Sequence, residues 1–396
     1  MSAAGDWNAS LPAERYCDAV VIGAGPAGSM AARELARRGM RVLLVERKTL
    51  PRSKVCGACL NQRAVSWLEL AGLSHVLPQL GAVPTKRFRA CCGRRSVEIE
   101  LPGGAAVSRE SFDFALAQAA VDCGAQLLTG TTAMLRDVGS DAGGREIELR
   151  GPAGNTRTIQ AGVVLAADGL AHPSLAQCRE FACRVPRGAK LGVGTRTVDA
   201  PQSFQPGTIY MAIGRGGYAG LVRLEDGSLS LAAAVVPQAI KRAASPAAAV
   251  AAILAEAGMP ECGLAAAGPW QGTLPLTQST PRPVGHRVLV LGDAAGYVEP
   301  FTGEGIAWAL SGGLAVAEFA ERGLCEWNAH VEQGWLHAYR RLVRDRQLCC
   351  RGFAAVLRHP SIARMAVQLA SAWPAVCRPI VRTLNRPVRP LELCQS

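Results

Sequence analysis

The chain has 396 residues, 49% hydrophobic and 19% charged, with 43 glycines and a net charge of +12. That length has room for roughly two or three domains with large buried cores, and the composition is that of a globular protein. The 14 cysteines fall well below the roughly 8–10% density of a disulfide scaffold, so that class is excluded.

The charge is unevenly spread. From Arg341 to Ser396 there are ten arginines, no lysine and two acids (Asp345 and Glu392), so this segment holds +8 of the +12. The remainder is close to neutral, which argues against a general nucleic-acid-binding surface. Residues 1–17, MSAAGDWNASLPAERYC, are polar and mixed, without the apolar core of a secretory signal. The best apolar stretch, 362–381, contains Arg364, Pro374 and Arg378, so no transmembrane helix is expected. The cysteines are therefore expected reduced, in a cytoplasmic protein, many of them as small buried apolar groups.

The first predicted unit spans 18–46, DAVVIGAGPAGSMAARELARRGMRVLLVE. An apolar run, Ala19–Ile22, reads as a buried strand. G-x-G-x-x-G follows at Gly23, Gly25 and Gly28, then a helix-period segment from Ala27 to Arg38, closed by Gly39. A second buried strand, Arg41–Val45, ends in Glu46. Gly23 permits the tight turn, Gly25 lets the backbone approach a pyrophosphate, and Gly28 lets helix and strand pack closely. The pyrophosphate would sit on the positive helix N-terminus. Glu46 lies where an acid accepts hydrogen bonds from a ribose 2′-hydroxyl, which disfavours a 2′-phosphate at this site.

KVCGACL (54–60) comes next and sets Cys56 and Cys59 as C-x-x-C. Three readings stand: half of a zinc site, a redox dithiol, or a loop with two thiols near a cofactor. Zinc wants about four ligands, and no second C-x-x-C or H-x-x-x-H has suitable spacing. A dithiol is chemically reasonable because this spacing lowers a thiol pKa. Its distance from the glycine motif, however, is wider than in disulfide-reducing flavoenzymes, whose cysteines lie on a helix.

A helix is expected over Ser111–Gly124, after VSRESFD. VVLAADG (163–169) reads as a buried strand ending in Asp168-Gly169. Residues 186–279 alternate apolar and polar side chains in short runs separated by Gly-rich turns, the pattern of an antiparallel sheet, with a Pro-bounded helix at 245–260. RVLVLGDAAGYVEPFTGEGI (287–306) is a strand ending in Gly292-Asp293, then a Pro-Gly loop opening a helix over 305–320. Asp293 is a candidate ligand-binding carboxylate at the strand end, and the amides at the helix start would present a positive end to a negative group. The tail, 330–396, reads as helices broken by Pro360, Pro374 and Pro379, with Phe353, Leu357, Ile362, Met365, Leu369 and Trp373 set among arginines. It is read either as core helices with a solvated basic face, or as a docking element for an anionic membrane surface or an acidic carrier domain.

The three motifs, in this order and spacing, resemble the FAD-dependent oxidoreductases of the para-hydroxybenzoate hydroxylase fold. ERKTLPRSKVCGACLNQRAVSWLELAGL is closer to the geranylgeranyl reductase-like and flavin monooxygenase branch. The resemblance implies an α/β fold: a Rossmann-type FAD-binding domain (mixed sheet with helices) interleaved with an antiparallel β-sheet substrate domain, plus C-terminal helices. The expected segments are 1–80, 105–185 and 280–330 for FAD, 81–104 and 186–279 for substrate, and 331–396 for a basic helical region. The implied cofactor set is Gly23, Gly25, Ala27, Gly28, Glu46, Arg47, Arg109, Asp168, Gly169, Gly292, Asp293, Pro300, Gly303, Gly305 and Ile306. Pro300 would lie against the isoalloxazine and Arg109 near the flavin. In that branch the C-x-x-C loop passes over one flavin face, which makes Lys54, Cys56 and Cys59 the candidates for catalysis. Cys56 and Gly57 match the pattern; Cys59 departs from it. His172 reads as structural, and no metal is expected.

The function expected first is an NAD(P)H-dependent monooxygenase. It would hydroxylate a hydrophobic or aromatic, polyketide-like molecule through a flavin C4a-hydroperoxide. The alternative is an ene reductase of the geranylgeranyl reductase type, acting on prenyl or polyketide double bonds. A flavin halogenase ranks lower, because G-W-x-W-x-I-P is absent. NAD(P)H is the transient donor in either reading, and a carrier-bound substrate is compatible with both. The expected location is cytoplasmic or peripheral at the inner membrane surface.

Overall fold

The computed structural model describes residues 14–136, 143–264, 267–299, 303–357 and 360–388. Strand β1 (Tyr16–Ile22), helix α1 (Pro26–Arg37) and strand β2 (Val42–Val45) form the opening unit. Pro26 starts α1 because its fixed φ suits the first turn, where its missing N–H costs no helical bond. All four residues of β2 are buried, as a strand covered on both faces requires.

Five parallel strands run in the order Val288–Val290, Thr156–Ala166, β1, β2, Gln126–Leu128. The register sets Val20 between Val164 and Leu43, so consecutive apolar rows stack across the sheet. Strands Arg145–Arg150 and Thr132–Leu135 extend it in antiparallel fashion. Helix Gly305–Cys325 crosses α1 at backbone contact: a Cβ at Gly313 would stand 2.5 Å from the carbonyl oxygen of Ala27.

A second sheet has seven strands, in the order Gln271–Pro275, Leu191–Thr197, Leu229–Val235, Gly217–Arg223, Thr208–Gly214, Arg87–Cys92, Arg95–Glu100. Its pairs are antiparallel except one. Thr208–Gly214 runs parallel to Arg87–Cys92, a departure from the expected all-antiparallel pattern. The two strands are separated by more than a hundred residues, including much of the first sheet, so the long crossover that a parallel pair needs is present. One face of this sheet is covered by helix Pro246–Glu256, through Val250, Ile253 and Leu254. On the other face Ala363 and Val367 of helix Pro360–Ala372 pack among Ala90, Met211, Ile213 and Tyr218.

The tail is helical, but its prolines start elements rather than break them. Pro360 opens Pro360–Ala372, Pro374 opens a 3-10 turn, and Pro379 lies in the first turn of Arg378–Leu384. Phe353 and Leu357 are helical, and their side chains lie outside the described residues. The tail is tied to the first sheet at Glu304, a fully buried carboxylate just before helix Gly305–Cys325. It accepts from Arg346 Nη2 at 3.2 Å and from Cys350 Sγ at 3.2 Å. Burial pushes the Glu304 carboxyl above its ordinary value, against the pull of Arg346. A carboxyl raised on folding contributes stability below its unfolded value of 4.5 and loses it as pH rises through the folded value. Thermal melts from acid to neutral pH should therefore show a decline that Glu304→Gln flattens. An unchanged slope in that variant would assign the decline to another group.

Candidate functional site

The site begins at the glycine turn. At Gly23 φ is +103°, and a Cβ there would stand 2.5 Å from the Ala167 carbonyl oxygen; one on Gly28 would stand 1.9 Å from the Gly23 oxygen. These two glycines therefore serve packing. Gly25 differs: its nearest neighbour would be Arg52 Nη2 at 3.8 Å, and it faces open space. That space belongs to a cavity of about 520 Å³ between the two sheets.

Glu46 directly follows β2 and is buried. Its Oε2 accepts the Ala24 N–H at 3.0 Å and its Oε1 the Lys48 N–H at 3.0 Å, so the carboxylate braces the glycine turn. Arg52 Nε lies 3.2 Å from Glu46, and Arg52 Nη1 reaches Asp113 Oδ2 at 3.1 Å. Asp113 also takes both arms of Arg109, at 2.8 Å each, and is fully buried. Burial opposes the charge on Arg109, but the Asp113 carboxylate and the neighbouring Cys56 sulfur hold its guanidinium above the ordinary value. Arg52 and Asp113 were not among the expected site residues. For Asp113 a signal existed: R-E-S-F-D puts it one helical turn after Arg109, where i,i+4 partners meet.

The C-x-x-C loop forms part of the cavity wall through Cys56, Gly57 and Cys59. Cys59 opens a short strand, Cys59–Asn61, paired with Gly104–Ala106, and its Sγ donates to the Gly57 carbonyl at 3.0 Å. Cys59 lies deep in the molecule yet borders the cavity, so part of its surface stays accessible. Burial, reinforced by Cys56, pushes its thiol well above the ordinary value. Cys56 and Cys59 are both free thiols. Ala58 adopts φ +54°, the left-handed region, and so turns the loop.

Lys54 Nζ lies 3.4 Å from Asp293 Oδ2, and both line the cavity. Ala27, Arg109, Gly169, Gly292, Gly303, Gly305 and Ile306 line it as well. Gly23, Gly28, Glu46, Arg47 and Asp168 do not. Arg47 is exposed. Asp168 is half-buried, with its Oδ2 accepting the Ser174 N–H at 2.8 Å, so it caps the turn after the strand while Gly169 supplies the wall. Pro300 lies outside the described residues. His172 is buried, with Nε2 2.7 Å from the Phe181 carbonyl, away from the cavity.

The cavity also borders a buried polar cluster. Glu299 and Tyr218 line it, and behind them Lys190 Nζ donates to Glu299 Oε1 at 2.7 Å; all three are buried. Tyr218 Oη donates to Glu299 Oε2 at 3.4 Å, and Lys190 lies over the Tyr218 ring, 5.4 Å from its centroid. Burial, and then the Glu299 charge, hold the Tyr218 phenol well above its ordinary value, so it keeps its proton. Lys190 and Glu299 lie far apart in the chain and carry no local motif, so nothing in the sequence pointed to their pairing.

A family model described as FAD binding domain matches residues 16–242, more than half of the chain. The chain belongs to this family of FAD-binding flavoproteins. The flavoprotein is 30% identical over 328 residues to digeranylgeranylglycerophospholipid reductase 2 of Methanopyrus kandleri, covering 78% of each chain. It is 29% identical over 328 residues to the menaquinone reductase of Mycolicibacterium smegmatis, covering 77% of this chain and 76% of that one. Among solved structures, the p-nitrophenol 4-monooxygenase PnpA of Pseudomonas putida superposes with a TM-score of 0.74 over 94% of this chain and all of that one, at 16% identity, which shows a shared fold. The protein is an FAD-dependent oxidoreductase.

The residues present fit FAD on a direct observation: the glycine turn leaves at Gly25 a cradle that a Cβ would fill, on the same cavity wall as Asp293 and the helix start at Gly305. Gly25→Val should therefore purify folded but without flavin. Gly28→Ala should lower the melting temperature, because its Cβ meets backbone. Flavin absorbance and a thermal melt of both variants check this; a fully flavinated Gly25→Val places the cofactor elsewhere. Asp113→Ala should cost about 3–5 kcal/mol in urea unfolding, the usual penalty for leaving buried charges without a partner. A cost under about 1 kcal/mol would mean that water reaches the two guanidiniums.

Proposed function

We propose that this flavoprotein reduces carbon–carbon double bonds of a long, apolar, prenyl-type substrate, with NAD(P)H as the transient electron donor. The observation that carries the reading is the cavity wall. Away from the glycine turn it is aliphatic on both sides: Ile99, Met211, Ile213 and Leu221 from the second sheet, Val367 and Leu384 from the tail. Two relatives similar over three-quarters of their length bear reductase names, one for a lipid with digeranylgeranyl chains and one for a quinone. This reverses the order of the two functions expected from motifs alone.

FAD, when bound, supplies a two-electron carrier able to deliver hydride. The chain's residues do the rest. Gly25, Ala27, Gly169, Asp293, Gly303, Gly305 and Ile306 would hold the cofactor along one wall. Lys54 offers a positive charge beside it, fixed by Asp293. The Cys56–Cys59 loop and the tail exclude water from the space between. Tyr218 holds a proton at Oη at the cavity surface, with Glu299 and Lys190 behind it.

Hydroxylation remains the second reading on one specific observation. The Glu299 carboxylate faces the cavity with its charge balanced by Lys190, and such a group accepts the O–H of a phenolic substrate. One experiment separates the two. The FAD-loaded protein is freed of oxygen, reduced, and mixed with a prenylated lipid that carries no quinone, so that its double bonds are its only reducible groups. Flavin reoxidation with a product heavier by two hydrogens is expected. No reaction until oxygen is admitted, followed by gain of an oxygen atom, would reject the reductase reading.

A further inference from the structure

Helix Pro360–Ala372 has two apolar faces. Ala363 and Val367 pack on the second sheet. The opposite face turns Ile362, Met365 and Leu369 outward, and Trp373 continues the row; Met365 is 70% exposed and Trp373 68%. Their spacing of three and four residues keeps them on one side of the helix. Val376 and Ile380, in the following turn and helix, are exposed too. A contiguous apolar surface of this kind on a protein that meets water marks an interaction site.

The charge around it has one sign. Between Arg346 and Val388 the sequence carries seven arginines and no acidic residue. Arg378 and Arg382, on the helix that follows the apolar row, are exposed; Arg364 is exposed as well but reaches toward Cys92 of the second sheet. The row is also continuous with the cavity: Leu369, Val376 and Ile380 are exposed and yet line its wall. The cavity mouth therefore lies within the apolar, basic surface. No helix among the described residues is long and apolar enough to cross a membrane.

We propose that this face docks on an anionic phospholipid bilayer, with the cavity mouth opening into the hydrocarbon layer, so that a lipid substrate enters without crossing water. The charge complementarity is to a phosphate surface, and the apolar row is what the acyl boundary beneath that surface accommodates. An acidic carrier domain would pair with the arginines but would leave Met365 and Trp373 in water. The inference rests on the reductase reading only for what enters the cavity; the docking itself is read independently of catalysis.

The test is flotation of the full-length, FAD-loaded protein with vesicles of phosphatidylcholine alone and with phosphatidylglycerol added. Two variants accompany it, Met365→Ser/Trp373→Ser and Arg378→Gln/Arg382→Gln. Retention on the anionic vesicles is expected, falling at least tenfold in each variant while flavin content, melting temperature and turnover of a short detergent-dispersed prenyl substrate stay unchanged. No retention of the wild-type chain, equal retention of the variants, or binding to an acidic carrier domain in place of vesicles would overturn the proposal. Retention without reduction of any prenyl substrate would leave the docking standing and reject the reductase reading. Reduction of the dispersed substrate without retention would do the reverse.

Discussion

Asp113 sits fully buried with a guanidinium on either side, and the site depends on that arrangement. Arg109 grips it with two hydrogen bonds from its own helix; Arg52 reaches it from the loop after β2 and holds Glu46 with the same side chain. Glu46 in turn receives an amide of the glycine turn. One chain of charges thus connects the turn, the loop that leads into C-x-x-C, and the helix behind them. Burying so many charges is expensive unless each is paired, and here each has a partner of opposite sign. The gain is position: the loop is fixed at its root while its tip, with Cys56, faces the cavity.

The cavity itself exists because neither sheet closes it. The first sheet offers its glycine turns and the second an aliphatic face; helix Pro360–Ala372 covers that face from outside. Glu304 couples this cover to the flavin side, since its carboxylate holds Arg346 and Cys350 of the tail and stands at the start of helix Gly305–Cys325. A change in the seating of the tail is therefore felt within one residue of the cavity wall. The same coupling explains why a surface that is apolar and basic on the outside bears on access to the interior.

The polar groups of the cavity fall into two systems with different logic. Near the glycine turn, Lys54 and Asp293 are partly exposed and pair with each other on the cavity wall. Deeper, Lys190, Glu299 and Tyr218 are buried and mutually satisfied. A buried ion pair of this kind is weak evidence for stability, because desolvation cancels much of the attraction. What the pair does is place a charged, hydrogen-bonded cluster on an otherwise aliphatic stretch of the cavity wall.

Much of the frame was legible because it rests on local chemistry. Apolar runs, glycine turns and their spacing specify strand, turn and helix within a few residues, and so the flavoprotein class and the first sheet could be read in order. Alternation with Gly-rich turns marked the second sheet, though not its parallel pair, which is a matter of which distant strand arrives at an edge. The site was legible at Gly25, Asp293 and the C-x-x-C loop, and illegible at Arg52, Lys190 and Glu299, whose partners lie far along the chain. By itself the sequence determined the cofactor class and the elements that carry it. Only the tertiary structure decided which charges meet, that Asp168 caps a turn, and that the tail roofs a cavity, because each depends on groups brought together by packing across long stretches of chain.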